Sequence, residues 1–167
     1  MVELTSDHLK CMSLFEQMTS AIALDCLIDP NAFVFVVKQG DLGKAIGKKG
    51  ASINRARTAF GKSVFVVEDA DSIEQFIKNM FSNVQVTGIN VHEKMNARVA
   101  YVTVDEKDRG ASIGKSGERI KLNRSLLMRR YGCDLRIVSK QEMPSSQDGR
   151  LAREGKEMPE RNGTPAQ

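Results

Sequence analysis

The sequence predicts an α+β protein that contains two copies of one small module. One observation is a repeated pentapeptide: residues 46–50 read IGKKG and residues 113–117 read IGKSG, 67 positions further along the chain. A second observation is that residues around the pentapeptide repeat at the same offset, which indicates a duplicated module. The matched pairs are Val37 and Val104, Asp41 and Asp108, Gly43 and Gly110, Ile46 and Ile113, Gly47 and Gly114, Lys48 and Lys115, Gly50 and Gly117, Ile53 and Ile120, and Arg57 and Arg124.

Composition divides the chain into three parts. Residues 1–69 and 70–139 hold the first and second module, and each is near the lower end of the usual size of a domain. Modules of this size have thin hydrophobic cores, so we expect the two to pack together. Residues 140–167 are rich in Pro, Ser, Gln and mixed charge and poor in large aliphatic side chains, which predicts a disordered tail.

The sequence of the first module predicts a helix, a β-hairpin, a second helix after the glycine turn and a closing strand. Apolar residues recur every three positions in the first helix, and Thr5 or Ser6 can cap it. Asp-Pro-Asn at residues 29–31 separates two short apolar runs, which is typical of a hairpin turn. Gly61 suits the end of the second helix. The predicted ranges are 7–18, 25–28, 33–37, 51–60 and 63–67.

The second module repeats this order. Asp71 or Ser72 can cap its first helix, and residues 93–96 form the turn of a longer hairpin. Gly132 follows Gly61 by 71 positions, four more than the offset of the glycine turns, so the second long helix is longer by about one turn. The later predicted ranges are 84–91, 97–104, 118–131 and 135–138.

Basic residues concentrate around the two glycine turns. Residues 43–62 contain six Lys or Arg and no acid, and residues 109–131 contain seven against Glu118 alone, although the whole chain has a net charge of only +4. Two basic helices that begin at glycine turns form a surface suited to a polyanion. The alternative is a pair of ordinary solvated helix faces.

Other bulk features bear on location. Cys11, Cys26 and Cys133 are scattered and stand in apolar surroundings, which favours free thiols in a reducing cytoplasm. The sequence has no apolar run long enough to span a bilayer and no secretory signal at its start. We therefore expect a cytoplasmic monomer with no membrane partner.

The glycine turns have the chemistry of a phosphate-binding site. A glycine on each side of two exposed residues lets the backbone turn sharply and lets an anion approach without meeting a Cβ atom. The following helix points unpaired N–H groups and the positive end of its dipole at the same space. Lys48, Lys49 and Lys115 add positive charge, and we expect them to contact phosphates.

Branched aliphatic side chains flank both turns and can line a groove for unstacked bases. Ile46 and Ile53 flank the first turn, and Ile113 and Ile120 flank the second. Plain core packing is the alternative, and one isoleucine can serve both purposes. The chain has only seven Phe and two Tyr, most of them on inner helix or strand patterns, which argues against exposed stacking platforms.

Enzymatic functions find little support in the sequence. Residues 110–116, GASIGKS, approach a nucleotide-binding P-loop, but that motif needs four residues between its first glycine and Gly-Lys-Ser, and here only three separate them. His8 and His92 belong to different elements, and no Cys/His pair has metal-ligand spacing. We therefore predict a binding protein with no catalytic residue, no metal and no cofactor.

The glycine turn between a short helix and a long one resembles the KH domain, a module that grips single-stranded nucleic acid, and the element order resembles its type II variant. Residues 35–50 (FVVKQGDLGKAIGKKG) and 102–117 (VTVDEKDRGASIGKSG) are similar to the tandem KH pair of NusA-like transcription factors, especially those of the short archaeal type. The resemblance covers residues 5–139. It implies two tandem type II KH domains, packed together and each with the element order α-β-β-α-α-β, that bind single-stranded RNA.

The resemblance also implies a role in transcription elongation or termination, with the nascent transcript as ligand and RNA polymerase as a further partner. The alternative left open is a KH-type RNA-binding component of a ribosomal or RNA-processing particle. The residues expected to bind RNA are Ile46, Gly47, Lys48, Lys49, Gly50, Ile53, Arg57, Ile113, Gly114, Lys115, Ser116, Gly117, Ile120 and Arg124.

Overall fold

A computed structural model of the chain describes residues 3–138, which form six α-helices and six β-strands arranged in two halves of equal element order. The predicted tail lies outside the described residues. The first half contains α1 (Ser6–Thr19), β1 (Ala23–Asp29), β2 (Ala32–Val37), α2 (Leu42–Ile46), α3 (Ala51–Phe60) and β3 (Ser63–Glu68). The second half contains α4 (Ile73–Met80), β4 (Val86–Lys94), β5 (Ala97–Val104), α5 (Arg109–Ile113), α6 (Glu118–Tyr131) and β6 (Cys133–Val138).

Each half contains one three-stranded sheet with its middle strand second in sequence. In the first sheet β2 pairs antiparallel with β1 and parallel with β3, and the second sheet pairs β5 with β4 and β6 in the same way. The parallel pairing is possible because the two helices between β2 and β3 carry the chain back across the sheet. Each glycine turn lies in this crossover, between a short helix and a long one.

Helices α1 and α3 cover one face of the first sheet. Phe15 of α1 stacks on Phe35 of β2 with ring centroids 4.1 Å apart, and Phe60 of α3 lies 4.7 Å from Phe33. These rings belong to a hydrophobic cluster made only of first-half residues. Thr5 caps α1, as the sequence predicts, because its side chain accepts the backbone N–H of His8.

The other face of the first sheet packs against the second half. All six residues of β2 are buried. Val34 and Val36 belong to a single hydrophobic cluster that includes Phe76 of α4 and Leu126 of α6. Helix α4 contacts β3, and α6 contacts β1. The uninterrupted apolar sequence of β2 therefore reflects burial on both faces of the strand.

Three ion pairs from the last turn of α6 join the halves: Arg129 with Asp25, Arg130 with Asp25 and Arg130 with Asp69. The guanidinium of Arg129 donates to both oxygens of Asp25, at 2.9 to 3.1 Å, and this carboxylate is fully buried in β1. Arg130 pairs with Asp69 at 3.0 Å. Since a buried carboxylate without a partner is costly, these contacts fix α6 on the first sheet.

The second hairpin differs from its predicted form. Strand β4 continues to Lys94, which pairs with Ala97, so the turn contains only Met95 and Asn96. The strand also begins later than expected. The Phe81 carbonyl accepts the N–H of Val84, so the chain is still completing a turn there.

Candidate nucleic-acid interface

The two glycine turns have the same backbone conformation. In each, the short helix ends at a glycine, one turn of 3₁₀ helix follows, and the long helix begins after a second glycine. Matching φ angles differ by no more than a few degrees. They are +81° and +83° at Gly47 and Gly114, +55° and +56° at Lys49 and Ser116, and +78° and +74° at Gly50 and Gly117.

Packing requires the first glycine of each turn. A Cβ atom on Gly47 would lie 2.6 Å from the backbone nitrogen of Ser52, and one on Gly114 would lie 2.9 Å from that of Arg119. Both distances are shorter than any real contact of this kind. The turn therefore folds tightly against the first residues of the long helix, and its amides remain close to an approaching anion.

The repeated aspartates Asp41 and Asp108 hold the turns in place. Each precedes the short helix, and each carboxylate accepts a backbone N–H from the segment before the first strand of its half. The partners are Ile22 for Asp41, at 2.8 Å, and Gln85 for Asp108, at 3.0 Å. The sequence repeat singled out both aspartates, but their tethering role is visible only in the structure.

The lysines of the turns point into solvent. Lys48 and Lys49 are exposed, as are Lys115 and Ser116 in the second turn. Lys49 adopts a left-handed conformation that a non-glycine residue rarely takes. Such strain persists where the surrounding structure enforces it, and it is frequent at ligand-binding sites.

The four flanking isoleucines are divided between core and surface. Ile53 packs against the first cluster and Ile120 against the second, and both remain half-buried. Ile113 is also half-buried, whereas Ile46 is exposed. Ile53 and Ile120 therefore take part in core packing and still expose part of their side chains, and groove lining by Ile53 stays a prediction.

The two predicted arginines have different partners. Arg57 donates to the side chain of Asn54 and to the carbonyl of Val64, which are both neutral. Arg124 instead forms a two-pronged pair with Asp134, at 3.1 and 3.2 Å. Burial alone would raise the pKa of Asp134, but the Arg124 hydrogen bonds and the Leu135 N–H hold it below its usual value.

A groove runs along the exposed side of α6, starting at the second turn. Its volume is about 610 Å³. Aliphatic and basic side chains line it together with the carboxylate of Asp134. The lining residues include Gly117, Ile120, Lys121, Arg124, Met128 and Asp134. Three of the predicted RNA-binding residues of the second turn thus share one groove.

Sequence reasoning missed the contact between the second turn and the first half. The guanidinium of Arg119, in the first turn of α6, lies 4.4 Å from the ring centroid of Phe65 on β3. Burial lowers the pKa of Arg119. Because the two residues are far apart in the sequence and the repeat has Ser52 in place of Arg119, no local pattern signals the pair.

The surroundings of the second turn differ from those of a P-loop. A P-loop follows a strand directly, whereas Gly114 here follows helix α5. Within residues 3–138, no group of three or more His, Cys, Asp or Glu is placed to hold a metal ion. Over the same residues, none of the helices combines the length and the apolar character needed to cross a bilayer.

The KH domain family matches residues 12–71, within the first half and the start of the second. The probable transcription termination protein NusA of Halococcus morrhuae is 35% identical over 133 residues, which cover 80% of this chain and 95% of that protein.

The chain belongs to this NusA family. The protein of the same description from Methanococcus vannielii is 39% identical over 119 residues, 71% of this chain and 69% of its own. The crystal structure of APE1850 superposes with a TM-score of 0.73 at 34% identity, covering 82% of this chain and all of that one. The resemblance to short archaeal NusA-like KH proteins is therefore confirmed. The fourteen predicted RNA-binding residues stay predictions, although the structure gathers them at two turns.

Proposed function

We propose that the chain is a NusA-like RNA-binding factor that holds one single strand of RNA at both glycine turns. Both halves are type II KH domains in this proposal, residues 1–69 and 70–139. The family match to the first half supports it, and so do the shared element order and sheet pairing of the second. Relatives described as transcription termination proteins support action on nascent transcripts. In this proposal the protein acts in the cytoplasm.

The observation that carries the proposal is the shared geometry of the turns. Two glycine turns with φ angles that agree within a few degrees, each at the start of a basic helix, lie in the matching crossovers of the two halves. A single turn would fit any phosphate. Two turns in halves that share one hydrophobic cluster fit a ligand that presents phosphates at intervals, which is a nucleic acid strand.

The groove favours single-stranded ligand. KH domains clamp about four nucleotides and read unstacked bases beside the glycine turn. Half-buried isoleucines next to the turns offer flat aliphatic surfaces to such bases. A duplex keeps its bases stacked and offers no base face to these side chains.

The test is titration of a fluorescent single-stranded RNA of about 12 nucleotides, long enough for two such clamps. Lys48→Asp with Lys49→Asp should remove most of the affinity and leave the fold intact, because both side chains are exposed. The control carries Lys10→Asp with Lys94→Asp, the same change of charge at exposed lysines outside the turns. Unchanged binding by the turn variant, or equal loss in both variants, would refute the site.

Salt gives an independent measurement. The logarithm of the affinity should fall against the logarithm of the salt concentration, with a slope of about −0.7 for each phosphate neutralised. A wild-type protein that is insensitive to salt would contradict phosphate binding. Co-purification with RNA polymerase tests the further partner, and light scattering tests the proposed monomer.

A further inference from the structure

A cleft of about 220 Å³ lies where the first half meets the second glycine turn. The edge strand β3 contributes Phe65, and the segment after α4 contributes Asn83. The turn and the start of α6 contribute the remaining side, with Gly114, Lys115, Glu118 and Arg119. The cleft is separate from the groove along α6, which shares none of these residues.

A flat cationic surface forms one wall of this cleft. Arg119 stacks against Phe65 at 4.4 Å, and the ring lies on the strand that pairs only with β2 in the first sheet. Cation–π contact holds the guanidinium plane in place. Arginine planes and aromatic rings are the surfaces on which proteins stack unpaired bases. The wall is therefore positioned before any ligand arrives.

The rest of the cleft has the polar groups that a nucleotide needs. Gly114 and Lys115 belong to the turn proposed to hold a phosphate, and a base lies only one sugar away from its own phosphate. Asn83 and Glu118 are exposed side chains that can hydrogen-bond to a base edge. Solvent-accessible polar groups, a stacking wall and a phosphate-binding turn thus share one small space.

We propose that this cleft takes a single unstacked RNA base, stacked on Arg119 beside Phe65, from a nucleotide whose phosphate lies at the second glycine turn. The inference rests on the proposed function. It assigns Phe65 and Asn83, which belong to no repeat motif, to the RNA-binding surface. It also makes the second binding position depend on both halves, since Phe65 comes from the first sheet.

Abasic scanning tests the cleft. The probe is a fluorescent RNA of about 12 nucleotides selected on the wild-type protein from a randomised pool, with each base removed in turn. One internal position should lose about 10-fold in affinity when its base is removed, in line with the usual contribution of one stacked base. Removal of the same base should not lower the RNA affinity of the Arg119→Lys variant any further, because that variant keeps the charge and loses the planar surface.

The matched control is Arg136→Lys. Arg136 occupies the position on β6 that Phe65 has on β3, is exposed and lies outside the cleft. The Arg136→Lys variant should show the wild-type abasic profile, meaning the same change in affinity as wild-type protein at each position where a base is removed. Phe65→Leu, which keeps an apolar side chain and removes the ring, is the second test variant and should match Arg119→Lys. Thermal unfolding checks that each variant is folded.

The outcomes separate the two proposals. If wild-type protein binds RNA through Lys48 and Lys49 but Arg119→Lys and Phe65→Leu keep the wild-type abasic profile, the cleft is refuted and the proposed function stands. If selection yields no RNA that depends on Lys48 and Lys49, both proposals fail.

Discussion

Three of the differences between the first and second glycine turns lower the positive charge around the second. Where the first turn has Lys49, Ala51 and Ser63, the second has Ser116, Glu118 and Asp134. Each difference makes the second turn less positive. The φ angles nevertheless agree within a few degrees. Backbone geometry and electrostatic strength are thus independent properties of this turn.

The difference suggests a division of labour between the halves. The first turn offers two exposed lysines, and residues 43–62 contain no acid, which suits strong but sequence-independent phosphate binding. The second turn offers an aliphatic groove and a cleft with a stacking wall. Contacts with base faces and edges carry sequence information that phosphate contacts lack. We therefore expect the second half to contribute more to sequence preference.

The structural equivalence of the two turns can be tested with Gly47→Ala and Gly114→Ala. Each added methyl would contact backbone nitrogen at under 3 Å, at a φ that disfavours alanine. Both variants should lose about 3 kcal/mol in free energy of unfolding. Urea denaturation measures this loss. Gly43→Ala and Gly110→Ala are the controls, because a Cβ meets nothing at either position. A large difference between the two turn variants would contradict their structural equivalence.

Charge reversal at the second turn tests the electrostatic difference. Lys115→Asp with Ser116→Asp should weaken RNA binding about 10-fold, whereas Lys48→Asp with Lys49→Asp should weaken it about 100-fold. The change at Lys48 and Lys49 has the larger effect because it removes two positive charges, and the change at the second turn removes only one. Fluorescence titration in low salt measures both. Equal losses of RNA affinity at the two turns would contradict the proposed electrostatic difference between them.

Transplanting the first turn into the second should strengthen binding. Ser116→Lys with Glu118→Ala gives the second turn the residues of the first, adds one positive charge and removes one negative charge. Affinity should rise about 5-fold and its salt slope should steepen. The reciprocal variant, Lys49→Ser with Ala51→Glu, should lose affinity by a similar factor. A transplant that leaves affinity and slope unchanged would show that the second turn does not meet phosphate.

Asp134 offers the smallest of these effects. Asp134→Asn removes the partner of Arg124 and should raise RNA affinity about 2-fold near neutral pH. Its cost in stability should stay under about 1 kcal/mol, because Arg124 is half exposed. The pKa of Asp134 in the folded protein lies below its usual value. The Arg124–Asp134 pair therefore contributes its full stability above the pKa of an unfolded aspartate. That stability is lost as the pH falls through the pKa of Asp134 in the folded protein. The stability difference should therefore disappear in acid.

The elements with strong local signals could be predicted from sequence. Helices α3 and α6 begin and end at the predicted residues, because a glycine turn precedes each and a glycine in the left-handed conformation ends each. The turns themselves were predictable because the repeat shows them twice. Their aspartate tethers were visible as repeated residues without an assigned role.

The contacts between the halves could not be predicted in this way. Asp25 and Arg129 are 104 residues apart, and neither belongs to a repeated pair. Phe65 meets Arg119 only because the second half folds across the back of the first sheet. Periodicity reports which face of a strand is apolar, but in β2 both faces are, and it does not name what covers them.

The doubly covered strand has a consequence for synthesis. A ribosome releases the first half before α4 and α6 exist, so Val34 and Val36 meet solvent while their later cover is still being translated. Over the same interval the carboxylate of Asp25 lacks Arg129. The nascent first half thus exposes a hydrophobic face until the second half emerges. Duplication produced two similar modules, and the order in which they leave the ribosome makes the earlier one depend on the later.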